Sequence, residues 1–332
     1  MKKRFVEIDC LRGLAISLVL LGHSIIMFPI NLNNIFWCQA LHFAVSSVHL
    51  PLFFAVAGFC FHFRGYRDLL NKKTPRLVIP YLVFSLAGIA APLFFPSLVN
   101  EPKPLGEMLL GILTGQTAWF LYALFLIFLL FPVLLRLARN RTGAWITAIL
   151  ILLIYFFPYW PKVCNLANVA DYLLFFALGY AVRQRLDMLG RTLEKAEKKL
   201  GRFVLWTLCV VLWACLVGLM MKIGEKNRLP YSVPRLFAAL LGMFLCLEYV
   251  RYRVSGPVCR AFAEIGKYTL QLYLFNGYFL VASRTLLVKI LGITAPIPVI
   301  LGNYIVILGL NYLFVKYVIA RVKLFRTLTG MV

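Results

Sequence analysis

The apolar stretch I-D-C-L-R-G-L-A-I-S-L-V-L-L-G-H-S-I-I-M-F-P, from Ile8 to Pro29, decides the fold class. Its length is what an α-helix needs to cross a bilayer. Two polar residues interrupt it, Arg12 near the start and His23 well inside. At roughly 100° per residue, both side chains fall within about 20° of one helix face. At about 1.5 Å per residue, His23 lies about 16 Å further along the axis, near the middle of the hydrocarbon core.

A histidine at that depth is costly unless it faces a protein interior or a wet cavity. One interpretation is structural, an imidazole held by hydrogen bonds between helices. The other is functional, a residue of a catalytic or binding site. Because Arg12 shares the helix face of His23, we favour the functional interpretation.

The composition indicates a polytopic membrane protein. The 332-residue chain is 62% hydrophobic with a mean hydropathy of +0.86, and only 14% of its residues are charged. A soluble domain could not bury so much apolar surface. The apolar stretches are too long for the alternating strands of a membrane barrel, so the predicted fold class is all-α. The first stretch is also too long for a signal peptide and lacks a small-residue cleavage site, so we expect a retained helix.

The pattern of charge predicts the topology. The net charge of +23 is concentrated in short loops between apolar stretches, which is typical of the positive-inside rule and argues against a nucleic-acid partner. We expect one transmembrane domain over residues 1–332, with no fused soluble domain and both termini in the cytoplasm. About ten spans are predicted, at residues 8–29, 45–63, 77–96, 117–135, 143–159, 168–182, 203–221, 236–250, 267–288 and 297–319.

One predicted outer loop departs from this charge bias. It carries Lys222, Lys226, Arg228 and Arg235 between the seventh and eighth spans. Either the span boundaries differ there, or the loop faces an anionic group such as a lipid phosphate or an acidic glycan.

The eight cysteines form no C-x-x-C pair and lie mostly within or beside apolar spans. We therefore predict neither a metal site nor a disulfide framework, and expect buried thiols that pack as small hydrophobic side chains.

Further candidates lie in the second and third spans. His49 precedes Pro51, which suits the first turn of a helix, so His49 is expected at the outer mouth of the bundle. Its alternative is an interfacial histidine wetted by headgroups. Lys72, Lys73 and Arg76 precede the third span. They are either a solvated topology signal or a grip for a polyphosphate or nucleotide head group.

The later spans carry aromatic and polar candidates. Trp119 opens the fourth span, where an interfacial aromatic belt is the simpler explanation. The ninth span is unusually polar, with Thr269, Tyr273 and Asn276 on one face and Gln271 nearby. That face is turned either to a cavity or to hydrogen-bonding partners on neighbouring helices.

Taken together, these segments resemble acyltransferase family 3, the bacterial integral-membrane O-acyltransferases, and within it the fucose O-acetylase-like branch known from nodulation-factor modification. The resemblance rests on I-D-C-L-R-G followed by L-G-H-S, which gives R-x10-H. It continues in order through H-L-P-L-F-F-A-V-A-G-F, P-R-L-V-I-P-Y, W-F-L and G-K-Y-T-L-Q-L-Y-L-F, over residues 5 to 280.

The resemblance implies transfer of an acetyl (acyl) group from cytoplasmic acetyl-CoA, a co-substrate with no bound cofactor, to a hydroxyl of a saccharide or lipid-linked glycan of the cell envelope. His23 would be the general base and Arg12 its partner. Arg76, with Lys73 and Lys72, would meet the CoA phosphates, and Arg12 could join them. The bacterial inner membrane is the implied location.

The acceptor side is less defined. Family members often have histidine where this chain has Asn276, which increases the interest of His49. Asp9, Trp119 and Tyr273 are counted as supporting residues. Whether His23 deprotonates the acceptor or first forms an acyl-imidazole stays open, as does the oligomeric state. The alternative function is a proton-coupled transporter of an anionic solute, with Arg12 and His23 as its binding pair. A purely structural role would account for the membrane spans but not for the polar residues buried among them.

Overall fold

The computed structural model describes residues 5–26, 32–94, 104–161, 163–225 and 227–331, and within those ranges the chain is helical with no β-strand. The helices are α1 (Val6–Ile26), α2 (Phe36–Phe59), α3 (Tyr66–Lys73), α4 (Ile79–Phe94), α5 (Leu105–Leu113), α6 (Trp119–Leu137), α7 (Arg141–Phe156), α8 (Leu166–Gln184), α9 (Leu186–Leu200), α10 (Arg202–Ile223), α11 (Arg228–Arg253), α12 (Pro257–Gly266), α13 (Thr269–Arg284), α14 (Pro296–Ile305), α15 (Asn311–Phe314) and α16 (Lys323–Leu328). Four π-helical segments adjoin them, at Thr74–Val78, Thr285–Ile290, Val306–Leu310 and Val315–Ile319.

Seven helices among the described residues are long and apolar enough to cross a membrane. Each falls on one of the predicted spans, which confirms an integral-membrane helical protein. The count of about ten and the cytoplasmic termini stay predictions, and the predicted span ends at 29 and 96 lie outside the described residues. The seven are Val6–Ile26, Phe36–Phe59, Trp119–Leu137, Val163–Gln184, Arg202–Ile223, Arg228–Arg253 and Pro296–Ile319.

The chain divides into two compact units. The first comprises Met1–Cys60 and Phe175–Lys316, and the second comprises Phe61–Leu174 and Tyr317–Val332.

In the first unit, α1 is the central helix and packs against α2, α12, α13 and α14. Glycines allow the closest of these approaches. A Cβ on Gly13 would overlap the backbone carbonyl of Phe262, and one on Gly266 would overlap that of Asp9. Small residues of this kind bring helix backbones together in membranes, where apolar burial gives little driving force between helices.

A disulfide joins the same two helices. Cys10 of α1 and Cys259 of α12 are both fully buried, with their Cα atoms 5.6 Å apart. The expectation that the cysteines are thiols is therefore wrong for this pair. The two residues are separated by 249 positions, so only the close α1–α12 packing brings them together.

Helix α2 begins earlier than predicted. It starts at Phe36, so Pro51 lies inside the helix and His49 is buried along its length. The placement of Pro51 in a first turn and of His49 at the outer mouth is wrong. Proline removes one backbone hydrogen bond, a loss that transmembrane helices tolerate when neighbouring groups satisfy the freed carbonyl.

Helix α11 also begins earlier than its predicted span. Arg228 and Arg235 lie within it, and Lys222 lies in the last turn of α10. The expected basic loop is thus mostly helical, and its remaining cation, Lys226, lies outside the described residues.

The second unit contains α3 to α7, the start of α8, and α16. An aromatic cluster lies in its core, where Phe61 stacks on Phe128 with ring centroids 5.8 Å apart and meets Phe131 edge-on at 5.4 Å. The segment before the third predicted span, expected as a loop, is α3 followed by the π-helical turn Thr74–Val78.

Close packing of α2 on α8 gives the first prediction. Replacing Gly58 or Gly179 with alanine should destabilise the protein by about 1–3 kcal/mol, because a Cβ on either glycine would overlap a backbone carbonyl of the facing helix. The measurement is the midpoint of thermal unfolding in detergent. Gly218→Ala on α10 is the control, since a Cβ there meets nothing within 4 Å. Equal midpoints for all three variants would contradict this packing.

Candidate functional site

Helix α1 carries both Arg12 and His23 on one continuous helix, as predicted. The guanidinium of Arg12 lies 3.6 Å from the carboxylate of Asp9 and 3.5 Å from the Cys60 sulfur. Its side chain is 36% exposed, whereas Asp9 is buried. Asp9 therefore orients an arginine that stays accessible.

His23 meets Asn276 of α13. The side-chain amide of Asn276 contacts Nδ1 of the His23 ring through Nδ2. Asn276 is buried and the His23 side chain is partly accessible. Asn276, expected only as a candidate on the acceptor side, thus touches the candidate base, which sequence reasoning did not predict.

The arrangement of this amide determines what His23 can do. Oδ1 of Asn276 is buried with no hydrogen-bond partner in the described part of the chain. Amide oxygen and nitrogen are nearly indistinguishable by shape, so the same contact with the amide rotated by 180° lets Oδ1 accept from the Nδ1–H of His23 and turns Nδ2 to the position that has no partner. In that arrangement Nδ1 carries the proton and Nε2 presents a free lone pair, the form that a general base needs.

Helix α2 adds two histidines to this region. His49 is buried and its Nδ1 lies 2.7 Å from the carbonyl of Val45. His42 lies 3.3 Å from the hydroxyl of Ser46. The His42 and His49 rings are each within electrostatic range of His23. Within the described ranges, no group of three or more His, Cys, Asp or Glu residues could hold a metal ion.

Sequence reasoning also missed Arg284. It is only 1% exposed, and its guanidinium donates to the backbone carbonyl of Ser24 at 3.0 Å, next to His23. A cation at the C-terminal end of a helix opposes the negative end of its dipole. Arg284 therefore fixes the end of α1 that carries His23. Its position inside a predicted apolar span was the one available signal.

On the polar face of α13, the Thr269 hydroxyl donates to the carbonyl of Gly266 at 2.8 Å, and Asn276 makes a contact between helices. Besides the contact of Asn276 with α1, Asn311 of α15 donates to the carbonyl of Leu272 at 3.0 Å. Tyr273 is half-buried on α13. Interhelical contact thus accounts for Asn276, and the orientation of the rest of this face stays a prediction.

The basic candidates belong to the second unit, in α3 and the π-helical turn. Lys72 pairs with Asp68 at 2.7 Å, and this hydrogen bond holds the pKa of Asp68 below its ordinary value. The ammonium of Lys73 lies 3.7 Å from the ring centroid of Phe128. Arg76 is exposed. Single π-turns are frequent at functional sites, and Arg76 lies within this one.

Trp119, in the same unit, begins α6 and is half-buried. Its ring stacks on Tyr172 with centroids 5.8 Å apart, and its carbonyl accepts a hydrogen bond of 3.2 Å from the Asn165 amide. Asn165 has a positive φ of 57° and also donates to the carbonyl of Gly115. This buried asparagine, another residue missed in the sequence, orders the start of α8.

Comparison with known proteins gives a family and two relatives. A family model described as Acyltransferase domain matches residues 5–316. Nodulation protein NolL of Mesorhizobium japonicum is 23% identical over 303 residues, covering 82% of this chain and 76% of the relative. Nodulation protein NolL of Sinorhizobium fredii is 26% identical over 293 residues, covering 82% and 77%. No solved structure matches the chain.

The contact between α1 and α13 can be tested by cross-linking. In a background without the free cysteines, His23→Cys combined with Asn276→Cys should form a disulfide under mild oxidation, because the two side chains touch. The yield is measured by mass spectrometry of digested protein. His23→Cys with Phe275→Cys is the matched control, since the Phe275 ring packs on Phe314 instead. Equal yields for both pairs would contradict the placement of Asn276.

Proposed function

Because this chain belongs to acyltransferase family 3, whose model matches residues 5–316, we propose that it moves an acetyl group from acetyl-CoA to a hydroxyl of a cell-envelope glycan or glycolipid. The multi-pass helices and bacterial relatives support the bacterial inner membrane as its location. The fucose O-acetylase-like resemblance supports a saccharide acceptor, and the two relatives carry the name nodulation protein.

The contact between Asn276 and His23 carries the proposal. Acyl transfer from a thioester to an alcohol needs a base for the hydroxyl proton and a donor for the developing oxyanion. When Nδ1–H of His23 donates to the oxygen of the buried Asn276 amide, Nε2 is left free for the first task. A side-chain amide can orient a catalytic histidine in the way that a carboxylate does elsewhere.

In the proposed reaction, Nε2 of His23 takes the proton from the acceptor hydroxyl. The acceptor oxygen forms a bond to the thioester carbonyl carbon, and the carbon–sulfur bond breaks. The proton on Nε2 then passes to the departing thiolate, so the products are an ester and a thiol and His23 returns to its neutral state. Arg284 and Asn276 keep the ring in place throughout.

The cations have a separate proposed role. Arg76 and Lys73, with Lys72 beside them, would bind the phosphates of the acyl donor, since guanidinium and ammonium groups are the usual phosphate partners. Arg76 and Lys72 are both exposed, and Lys72 also pairs with Asp68. Arg12, oriented by Asp9, would assist on the donor side. Acetyl-CoA is a co-substrate in this scheme.

Three residues are proposed for the acceptor side, namely His49, Tyr273 and Trp119. His49 lies within electrostatic range of His23 and would support it from α2. Tyr273 shares α13 with Asn276, and Trp119 offers an aromatic face on which a sugar ring could stack. The roles of these three residues on the acceptor side are part of the proposal.

The test is acetylation of the envelope polysaccharide. His23→Ala and Arg12→Ala should keep expression and folding but abolish acetylation, since loss of a general base costs about 10²–10⁴-fold in rate. Mass spectrometry of the polysaccharide from cells carrying each variant gives the readout. His62→Ala is the control, because His62 is exposed and lies outside the seven candidate spans.

Wild-type transfer by purified His23→Ala protein would contradict the proposal. Substrate-driven proton flux in proteoliposomes without acetyl-CoA would instead favour the transporter alternative.

A further inference from the structure

A cavity of about 930 Å³ lies in the first unit, between α9, the start of α10 and the end of α11. Its α10 wall is apolar and aromatic, formed by Phe203, Trp206 and Val210. Their spacing of three and four residues places them on one helix face. The cavity involves none of the residues assigned above to acyl transfer.

Helix α9 places the mouth of this cavity at the membrane surface. Within α9, no residue is buried. Apolar residues recur every three or four positions, at Leu186, Leu189, Leu193, Ala196 and Leu200, and charged residues of both signs occupy most of the remaining positions. A helix of this kind lies in the plane of the headgroups. Since α10 is a candidate span that begins directly after α9, its wall leads from the headgroup level into the bilayer.

The acidic residues at the cavity already have protein partners. Both carboxylate oxygens of Glu197 accept from the Tyr252 hydroxyl, at 2.5 and 2.6 Å. That hydrogen bond is the main cause of a lowered pKa for Glu197. Arg251 pairs with Glu194 at 3.4 Å and with Glu248 at 3.5 Å. Each of the three carboxylates therefore already has at least one partner in the protein.

Within the described part of the chain, the basic residues at the mouth of the cavity form no ion pair of this kind. Lys198, Arg202 and Arg253 line the cavity and are exposed. The guanidinium of Arg202 stacks 3.6 Å from the ring centroid of Tyr252, in electrostatic range of Glu197. Across the ranges that the structure describes, Lys198 and Arg253 form no side-chain hydrogen bond or ion pair. Three cations thus converge above an apolar wall.

We propose that this cavity is a binding site for an anionic phospholipid. Lys198, Arg202 and Arg253 hold the phosphate, and an acyl chain lies along Phe203, Trp206 and Val210. Basic pockets between transmembrane helices at the membrane surface are suited to such headgroups. A zwitterionic lipid fits less well, because the carboxylates that could receive its ammonium group are paired with Arg251 and Tyr252. A soluble phosphate would leave the apolar wall unfilled.

The experiment compares lipids on the purified full-length protein in detergent. Phosphatidylglycerol, phosphatidylcholine with the same acyl chains, and inorganic phosphate are added separately, and thermal unfolding gives an apparent affinity. Phosphatidylglycerol should stabilise the wild type most. The triple variant Lys198→Gln, Arg202→Gln, Arg253→Gln should bind it about a hundredfold more weakly, at about tenfold or less per lost cation.

The matched control removes the same charge from α9 outside the cavity. Arg191→Gln, Lys195→Gln, Lys199→Gln should keep the wild-type affinity, which a general attraction to the basic surface would not allow. Equal stabilisation by phosphatidylcholine, equal stabilisation by inorganic phosphate, or equal losses in both triple variants would overturn the proposal.

A second measurement does not depend on the folding of the triple variant. Phosphatidylglycerol with brominated acyl chains should quench the fluorescence of wild-type protein, and Trp206→Phe should remove part of that quenching. Identical fractional quenching in both proteins would place the acyl chain elsewhere and contradict the site.

Discussion

The contact between the Asn276 amide and the His23 ring is the interaction on which the proposed site depends. It joins α13 to α1 inside a membrane protein, where an unsatisfied imidazole would be costly. It also decides which ring nitrogen carries the proton, and so whether His23 can act as a base. The surrounding packing serves this geometry. Gly13 and Gly266 bring α1 against α12, and Arg284 holds the end of α1 beside His23.

The position of each polar group depends on whether its surroundings can satisfy its hydrogen bonds or its charge. Inside the first unit, Asn276 meets the His23 ring, and Arg284 and Asn311 donate to backbone carbonyls. Two sets of exposed cations carry the binding proposals. Arg76 lies in the second unit, where we propose donor binding, and the mouth of the α9–α11 cavity lies in the first. The two sets differ in their surroundings, since only the cavity has an apolar wall to receive an acyl chain.

Much of the architecture could be predicted from sequence because apolar length and basic loops report directly on membrane spans. His23 and Arg12 could be selected for the same reason, as polar residues in an apolar stretch. The partner of His23 could not. Asn276 is 253 residues away, and helix rotation, which hydropathy does not encode, decides which face of α13 meets α1. The Cys10–Cys259 pair was missed for the same reason, and the start of α2 was misplaced because Pro51 was taken as a helix start.

The most direct measurement is the rate of acetyl transfer from labelled acetyl-CoA to envelope glycan in two near-isosteric variants, Asn276→Asp and Asn276→Leu. If an oxygen of residue 276 accepts from Nδ1 of His23, Asn276→Asp keeps that acceptor and retains transfer to within about tenfold, whereas Asn276→Leu loses about 10²-fold or more. Equal rates for the two variants would contradict a role for this contact in setting the base.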